Sequence, residues 1–347
     1  MRLGGDGNRT AIVGGAVAAL LLAIGCGDSA RPADGTETLL TDVGLVFLTV
    51  DDLNLYWSET KQAEYGGPIK RVRKGAVAPI EAETLGDGYM PVALGGSVYA
   101  TTSTITSLSL TKYAASGQAS ALGAFEGFGS RMTADANNVY FSAFDFSTSM
   151  ARIWTQPADG SPAVFLVEDG HGQPYEMVAV DGEVYWISDP TRASVAYPEG
   201  TLGVITKVAL VGGAPTTAFE GPTDVTTLAA DAGHLYFAAD KSSGSVVSID
   251  QTLFRLDRQS GELAPLTDTK GATSLVVQGG YLYWADRLGE GVRRIPVDGG
   301  EAVTLAKMAG VNSVAVDSEF VYWATWIGPA ESPKGSLMRM PRPADDR

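Results

Sequence analysis

Seven tyrosines, six followed by an aromatic residue and one by Ala100, recur at intervals of 39 to 51 residues along the chain, and this repeat constrains the fold more than any other feature. The marker residues are Tyr56, Tyr99, Tyr140, Tyr185, Tyr236, Tyr283 and Tyr322, at spacings of 43, 41, 45, 51, 47 and 39 residues. A period of about 40 to 45 residues matches one four-stranded propeller blade. The sequence therefore predicts an all-β, seven-bladed β-propeller. Six blades is the alternative, because the second unit has Ala100 where the others have an aromatic residue.

Each unit repeats one internal order of strands and turns. A short apolar strand ends in a turn of Asp, Asn or Gly, such as Asp231-Ala-Gly233 or Gly279-Gly280. These residues accept positive φ or cap a tight hairpin with a side chain. The tyrosine strand follows, then a strand with a basic residue among aliphatic ones, as in Leu253-Phe-Arg-Leu256. A fourth strand, such as Ala302-Val-Thr-Leu305, closes most units.

The seventh unit lacks a fourth strand, because the chain ends seven residues after Met340. A matching segment lies at the other end: Gly35 to Leu40 resembles Gly300 to Leu305 in composition and in its distance from the next turn. We therefore expect the N-terminal strand to complete the last blade. Such closure removes exposed inner edges, which would otherwise promote aggregation.

The tyrosine pairs have a sufficient structural explanation. Blades pack face to face, each aromatic ring buries about 150 to 250 Å², and a Tyr hydroxyl or Trp indole needs one polar partner. We predict that these pairs form the scaffold and take no part in ligand stacking.

The sixth unit carries the clearest family pattern. Tyr283-Trp284-Ala285-Asp286, followed by Val292 to Gly300, resembles the YWTD repeat of low-density-lipoprotein-receptor-type propellers and related repeats in bacterial envelope lipoproteins. The likeness covers residues 36–343 at the level of the period. It implies a propeller fold, although the YWTD family has six blades and most units here lack its Thr-Asp ending.

The N-terminus is predicted to be a targeting segment. Arg2 and Arg9 give a positive beginning, and the apolar run from Ala11 to Ile24 is 14 residues long. A membrane-spanning helix needs about 20 apolar residues.

The end of this run resembles the lipobox of bacterial lipoproteins, in which a small residue precedes a cysteine that is lipidated and becomes the new N-terminus. Gly25 and Cys26 match that pattern, and Cys26 is the only cysteine of the chain. The alternative is an ordinary secretory signal with a chance cysteine. We expect residues 1–25 to be a signal peptide, residues 26–35 the lipidated cysteine and a tether, and residues 36–347 a single propeller domain at the cell envelope.

Charge and composition exclude one class of partner. The chain has a net charge of −15, and removal of residues 1–25 leaves 23 basic and 39 acidic residues, a net charge of −16. Such a domain is repelled by phosphate backbones, so nucleic acid is not expected as a partner. The acidity also keeps an exported domain soluble. We expect a monomer whose membrane contact is the lipid on Cys26.

Candidate binding residues lie where each chain segment enters the first strand of a blade, because these positions should meet at the channel mouth. They are Tyr89, Arg131, Tyr175, Glu176, Asp224, Thr226, Thr273, Asn312 and Ser313. Arg131, Glu176 and Asp224 come from adjacent units. They form either a mixed-charge ligand patch or solvated rim charges that pair with one another.

Two functions remain open on the sequence. The first is a non-catalytic module that binds a protein, peptide or glycan at the envelope, with no cofactor. The second is an exported hydrolase or lyase with calcium in the channel, for which Glu176, Asp224 and Asn312 could supply oxygens. The two histidines, His171 and His234, are predicted on opposite faces, which argues against a shared metal. The sequence contains no signature of a catalytic Ser, His and Asp, and no phosphate-binding glycine loop.

Overall fold

Short antiparallel strands make up nearly all of the regular structure in the computed structural model, which describes residues 35–59, 66–76, 80–241, 249–326 and 335–346. Within these ranges the only helical segments are two 3₁₀ turns, Pro190–Arg192 and Ala344–Asp346. The predicted targeting segment, Cys26 and most of the tether lie outside the described residues.

The strands follow the predicted order of the repeat. They are β1 (Glu37–Val43), β2 (Leu45–Val50), β3 (Asn54–Glu59), β4 (Gly67–Arg73), β5 (Glu83–Leu94), β6 (Ser97–Ser103), β7 (Ser107–Tyr113), β8 (Ala119–Glu126), β9 (Phe128–Ala134), β10 (Asn138–Asp145), β11 (Met150–Pro157), β12 (Val164–Asp169), β13 (Gln173–Val180), β14 (Glu183–Asp189), β15 (Gly203–Ala209), β16 (Thr216–Gly221), β17 (Val225–Ala230), β18 (His234–Asp240), β19 (Asp250–Asp257), β20 (Leu263–Lys270), β21 (Ala272–Gln278), β22 (Tyr281–Asp286), β23 (Gly291–Pro296), β24 (Val303–Ala306), β25 (Val311–Val316), β26 (Phe320–Thr325) and β27 (Gly335–Pro341).

The described strands form seven four-stranded antiparallel units. Units 3, 4, 5 and 6 are the separate sheets β9–β12, β13–β16, β17–β20 and β21–β24, and unit 7 is β25, β26, β27 and β1. Units 1 and 2 share one seven-stranded sheet, β2 to β8. Its 12-residue strand β5 pairs with β4 through residues 83–88 and with β6 through residues 89–94. One continuous strand therefore ends unit 1 and begins unit 2.

The first strands of the units are the innermost ones. Strand β2 contacts β5, and contacts then continue in turn through β9, β13, β17, β21 and β25 before returning to β2. The units are thus arranged as a closed cycle around a central channel.

The N-terminal strand closes this cycle as predicted. Strand β1 pairs antiparallel with β27, and Arg339 forms an ion pair with Glu37 across the two strands at 2.8 Å. Leu39 and Val43 of β1 are buried in the core between units 7 and 1. Lys74 of unit 1 also contacts Asp317 of unit 7 at 2.6 Å.

The tyrosine pairs join neighbouring units. The tyrosine of each unit shares a core cluster with the residue that follows the tyrosine of the next unit: Tyr56 with Ala100, Tyr99 with Phe141, Tyr140 with Trp186, Tyr185 with Phe237, Tyr236 with Trp284, Tyr283 with Trp323 and Tyr322 with Trp57. All of these residues are at most 1% exposed. The predicted scaffold role is confirmed.

Ala100 breaks the aromatic pattern because β5 passes through the space that a ring would fill. A Cβ added to Gly88 of β5 would lie only 2.5 Å from the Ala100 Cβ, so the two backbones approach too closely for a large side chain. Tyr113 belongs to the same core cluster and donates a hydrogen bond to the Asp87 carbonyl at 2.6 Å. The irregularity of the second unit thus reflects its continuity with the first.

Four hairpins are held by the same Asp to Tyr interaction. In unit 5, one Asp231 oxygen accepts hydrogen bonds from the backbone N–H groups of Gly233 and His234, both at 2.8 Å. The other oxygen accepts the Tyr236 hydroxyl at 2.7 Å. The same arrangement is made by Asp51 with Tyr56, Asp135 with Tyr140, and Asp317 with Tyr322. We call it the Asp–Tyr clamp.

The other three hairpins replace the clamp by backbone conformation. Their central residue pairs, Gly95-Gly96, Asp181-Gly182 and Gly279-Gly280, all have positive φ, between 46° and 79°. This geometry suits two-residue hairpins and is inexpensive for glycine. The predicted turn chemistry is confirmed in both forms.

Removing one clamp should destabilise the fold. We expect Asp231→Ala and Tyr236→Phe each to lower the free energy of unfolding by about 1–3 kcal/mol, because each leaves buried polar groups without a partner. The double variant should cost less than the two single changes added together. Chemical denaturation measures this, with Asp298→Ala as the control, since the Asp298 side chain is 90% exposed. Strict additivity would show that the two side chains do not act together.

The clamps should also make stability depend on acid. Burial opposes ionisation of Asp135, Asp231 and Asp317, but the hydrogen bonds from backbone N–H groups and tyrosine hydroxyls, together with Lys74 beside Asp317, lower the pKa of each carboxyl below its ordinary value. Their stabilisation is therefore complete above the unfolded pKa of about 3.9 and is lost as pH falls through the folded values. Denaturation between neutral pH and about pH 2 should show this loss. The triple Asp→Asn variant should show a smaller slope.

Candidate functional site

Every innermost strand carries an irregularity near its start, on the side of the ring where the chain enters it. The register shifts lie between Leu45 and Phe47, Tyr89 and Val92, Gly129 and Met132, Pro174 and Met177, Val225 and Thr227, Ala272 and Leu275, and Val311 and Ser313. A bulge takes its residues out of the ladder and redirects their side chains.

Most of the predicted site residues fall in these bulges. Arg131, Tyr175, Glu176, Thr226, Thr273 and Asn312 lie between the shifted pairs, while Tyr89 and Ser313 border a shift and Asp224 directly precedes β17. Local backbone chemistry supports the geometry. A Cβ on Gly172 would meet the Asp189 carbonyl oxygen at 2.0 Å, so only glycine lets the chain enter β13 along this path.

A cavity of about 220 Å³ occupies the channel between the innermost strands. The predicted residues that line it are Arg131, Glu176, Thr273, Asn312 and Ser313. Asn312 and Thr273 come from adjacent strands, and the Thr273 hydroxyl donates to the Asn312 carbonyl at 3.0 Å. The structure therefore brings together residues that are up to 182 positions apart in the sequence.

A second cavity of about 170 Å³ adjoins the first on the side of units 2, 3 and 4. Its walls include Tyr89, Phe128 and Tyr175, and it shares Met90 and Arg131 with the channel cavity. Tyr175 is 40% exposed, although its hydroxyl donates to Asp189 at 2.8 Å. Burial, and then the contact with Asp189, raises the pKa of Tyr175 to about 12. The mouth is thus flanked by aromatic rings, and the Tyr175 hydroxyl stays protonated at neutral pH.

Arg131 and Glu176 face each other in the channel. Arg131 Nε lies 3.5 Å from Glu176 Oε2, which is an ion pair with no hydrogen bond at Nε. Burial raises the pKa of the Glu176 carboxyl, and the neighbouring Arg131 only partly opposes this effect. Arg131 also lies over the Phe47 ring at 5.4 Å and donates from Nη1 to the Met90 sulfur at 3.0 Å.

Asp224 and Thr226 belong to a different part of the mouth. Neither residue is among those that line the channel cavity or the adjoining cavity. The Thr226 hydroxyl accepts a hydrogen bond from the Gln251 side chain at 3.1 Å. Gln251 also donates to Asp240 at 3.0 Å. Burial, and then the charges of Asp240 and Asp189, raises the pKa of Asp224. The predicted patch of Arg131, Glu176 and Asp224 is therefore divided into an ion pair in the channel and a separate carboxylate.

The sequence did not predict several of the lining residues, including three large apolar ones. Phe47, Met90 and Phe128 have the composition of core residues, so an apolar strand pattern places them inside a blade. Met90 has a φ of 51°, which is uncommon outside glycine and often marks a functional position. The neighbouring Pro91 is the available sequence signal, because proline within a strand points to an edge or a bulge.

The two histidines have separate acidic partners. His171, which precedes β13, pairs through Nδ1 with the buried Asp169. His234, which begins β18, has Asp231 at 3.5 Å and Asp257 at 3.8 Å. In the described residues, no three His, Cys, Asp or Glu side chains are grouped so that they could hold a metal ion. Of the suggested calcium ligands, Glu176 and Asn312 share the channel cavity and Asp224 lies outside it.

Neither helical segment among the described residues has the length and apolar character that a membrane-spanning helix needs.

Solved structures provide the comparison for the fold. The chain is similar to the β-propeller domain of the Trilobed protease from Pyrococcus furiosus, with a TM-score of 0.60 at 12% identity over 86% of this chain and 95% of that one. The chain has a β-propeller fold. The predicted all-β propeller class is confirmed.

Two further solved structures match the chain to a similar extent. An oligogalacturonate lyase from Vibrio parahaemolyticus matches with a TM-score of 0.60 at 9% identity, over 90% of this chain and 94% of that one. A chain of the mitotic checkpoint complex matches with a TM-score of 0.58 at 9% identity, over 93% and 98%. No family model matches the chain, and a search of curated proteins finds no match. At these identities the likeness shows the fold alone.

The raised pKa of the Glu176 carboxyl leads to a stability test. We expect Glu176→Gln to raise the free energy of unfolding at pH 7 by only a few tenths of a kcal/mol, because burial disfavours the ionised carboxyl while the 35% exposure of the side chain lets solvent screen the effect. Glu59→Gln is the matched control, since Glu59 forms a closer ion pair with Lys70 at 3.1 Å, and it should be neutral or destabilising. A clear loss of stability in Glu176→Gln would mean that the ion pair with Arg131 dominates.

Proposed function

We propose that this protein is a seven-bladed, lipid-anchored propeller of the cell envelope that binds a peptide, protein or glycan at its channel mouth without catalysing a reaction. The observation that carries the proposal is the pair of adjoining cavities of about 220 and 170 Å³, which join a polar channel to an aromatic mouth. Binding sites are typically concave, largely apolar, and supplied with a few convergent polar groups.

The scaffold supports this use because the site is built on strands. Lining residues from β2, β5, β9, β13, β21 and β25 are held by the closed cycle of innermost strands and by the buried tyrosine pairs between units. Rigid support lowers the entropic cost of binding. The seven units support the proposed count of seven blades, with β5 taken as serving two of them.

The aromatic residues at the mouth favour binding of a ligand with flat or apolar faces. Tyr175 exposes 40% of its surface beside Pro174, and Tyr89 packs edge-on against Phe47 with ring centroids 5.0 Å apart. Tyrosine combines large contact area with low side-chain entropy, which favours it at binding surfaces. Sugar rings and aromatic side chains both present such faces.

The alternative of a calcium-dependent enzyme has less support from the geometry. Glu176 lies beside the cationic Arg131, and Asp224 lies outside the cavity that Glu176 lines. Hard cations prefer several converging oxygen ligands. The oligogalacturonate lyase matches in fold only, so its activity is not carried to this chain.

The anchor is part of the proposal through Cys26, the only cysteine, within its lipobox-like segment. Expression in a bacterial host with radiolabelled palmitate should label the wild-type protein and leave Cys26→Ser unlabelled. The lipidated form should sediment with membranes, because two acyl chains give stable anchoring. Equal labelling of both forms would contradict lipidation at Cys26.

Binding at the mouth is tested with arrays of envelope glycans and peptides, using the full-length protein. A ligand found in this way should bind Tyr175→Ala at least about tenfold more weakly, because truncation of a central aromatic anchor often costs more than 1 kcal/mol. Phe165→Ala is the matched control, since Phe165 is 47% exposed on the outer strand β12 and should not matter. Ligands that bind wild type and Tyr175→Ala equally would place the binding surface elsewhere.

A further inference from the structure

One cation in the channel has few partners for its hydrogen-bond donors. Arg131 carries five N–H donors, yet in the described residues its guanidinium makes one hydrogen bond, to the weakly accepting sulfur of Met90. Its Nε makes none, although the group is buried. By contrast, Arg71 donates twice to Glu83, at 2.9 and 2.8 Å, and once to the Ala115 carbonyl at 2.7 Å. Arg131 is therefore held in place while most of its donors have no protein partner among the described residues.

Packing fixes the position of the Arg131 guanidinium without giving hydrogen-bond acceptors to most of its N–H groups. The guanidinium lies 5.4 Å from the centre of the Phe47 ring, and the ring of Phe47 is held edge-on by Tyr89. The side chain is 24% exposed, and it lines both cavities. A planar guanidinium that stacks on a ring keeps its edge available to a planar anion.

Glu176, the charged neighbour of Arg131 in these cavities, lies too far from the guanidinium for a good hydrogen bond. Among the described residues lining the two cavities, Arg131 and Glu176 are the only charged side chains. Their closest approach, 3.5 Å, is longer than the 2.7–2.9 Å typical of a charge-assisted hydrogen bond. A free carboxylate could adopt the bidentate geometry that Glu176 does not reach from its own strand.

The walls limit the rest of such a ligand. The second cavity, which begins at Arg131, is flanked by Tyr89, Phe128 and Tyr175 and suits a flat ring. A multiply charged group such as a phosphate is disfavoured by Glu176 inside the channel and by Asp224 and Asp189 at the mouth. The chemistry therefore selects a single carboxylate attached to a compact ring.

We infer that Arg131 is the anchor for the carboxylate of a ring-bearing monocarboxylate ligand, whose ring occupies the adjoining aromatic cavity. This inference rests on the proposed function of the channel mouth and names the class of ligand. A carboxylated sugar ring and an aromatic acid share the chemistry, and the choice of probes separates them.

Isothermal titration calorimetry of the full-length protein tests the charge requirement with matched probes. Phenylacetate and its neutral amide phenylacetamide represent the aromatic ring, and glucuronate and glucose represent the sugar ring. We expect at least one acid to bind at millimolar concentration or below, and its neutral partner to bind about tenfold or more weakly, as expected for loss of a charged hydrogen-bonded pair. If neither acid binds at such concentrations, or if acid and neutral partner bind alike, the inference is overturned.

Variants then assign the effect to Arg131. Arg131→Met should abolish the preference for the acid. Arg131→Lys should weaken acid binding about tenfold, since lysine keeps the charge and lacks the planar fork. Glu176→Gln should strengthen acid binding severalfold by removing the competing carboxylate.

Arg152→Met is the matched control, because Arg152 has a similar 26% side-chain exposure on the outer part of unit 3, and it should bind the acid like wild type. If the acid binds Arg131→Met and Arg131→Lys as well as wild type, Arg131 is not the anchor. A mouth ligand from the arrays that needs Tyr175 but is indifferent to Arg131 would leave the proposed function standing and remove this inference alone.

Discussion

The fold depends on burying a tyrosine between every pair of neighbouring units, and most of these tyrosines have a hydrogen-bond partner for the hydroxyl among the described residues, with buried Tyr99 as the exception. The ring of each tyrosine lies in the core shared with the next unit, and in four units the hydroxyl reaches the aspartate of its own hairpin. One aspartate thereby caps the turn and satisfies a buried donor at the same time. Local turn chemistry and long-range packing are linked through a single carboxylate, which explains why the repeat is visible in the sequence.

Much of the architecture could be predicted because it rests on such repeated, local chemistry. The marker tyrosines, the Asp and Gly turns and the N-terminal strand of Leu39 all report requirements that recur in each unit. The shared strand β5 could not be anticipated, because nothing in the residues around Gly86 and Gly88 distinguishes a long continuous strand from two strands with a turn. Ala100, in place of an aromatic residue, is the one sequence sign of the shared strand. The close approach of Gly88 in β5 explains why a small side chain is needed there.

The candidate site was predicted in part for a related reason. Residues such as Arg131 and Glu176 stand out as charges at the entry of apolar strands, so their place at the mouth follows from the strand order alone. Whether their side chains meet depends on the bulges in the innermost strands. Asp224 occupies the equivalent position before β17 and yet does not line the same cavity. Phe47 and Met90 were missed because an apolar side chain in a strand carries no mark that it faces a channel instead of a core.

The sharing of β5 makes the joints of the ring unequal. Units 1 and 2 are tied by one uninterrupted strand, whereas unit 7 is completed by β1, which pairs with β27 through hydrogen bonds and the Arg339 to Glu37 ion pair and then leads directly into β2 of unit 1. Among the described strands, only unit 7 combines segments from two distant parts of the chain, so the ring can open without breaking a covalent bond only between β1 and β27. The mechanical weak point of the ring is therefore expected within unit 7, at the pairing of the N-terminal strand with β27.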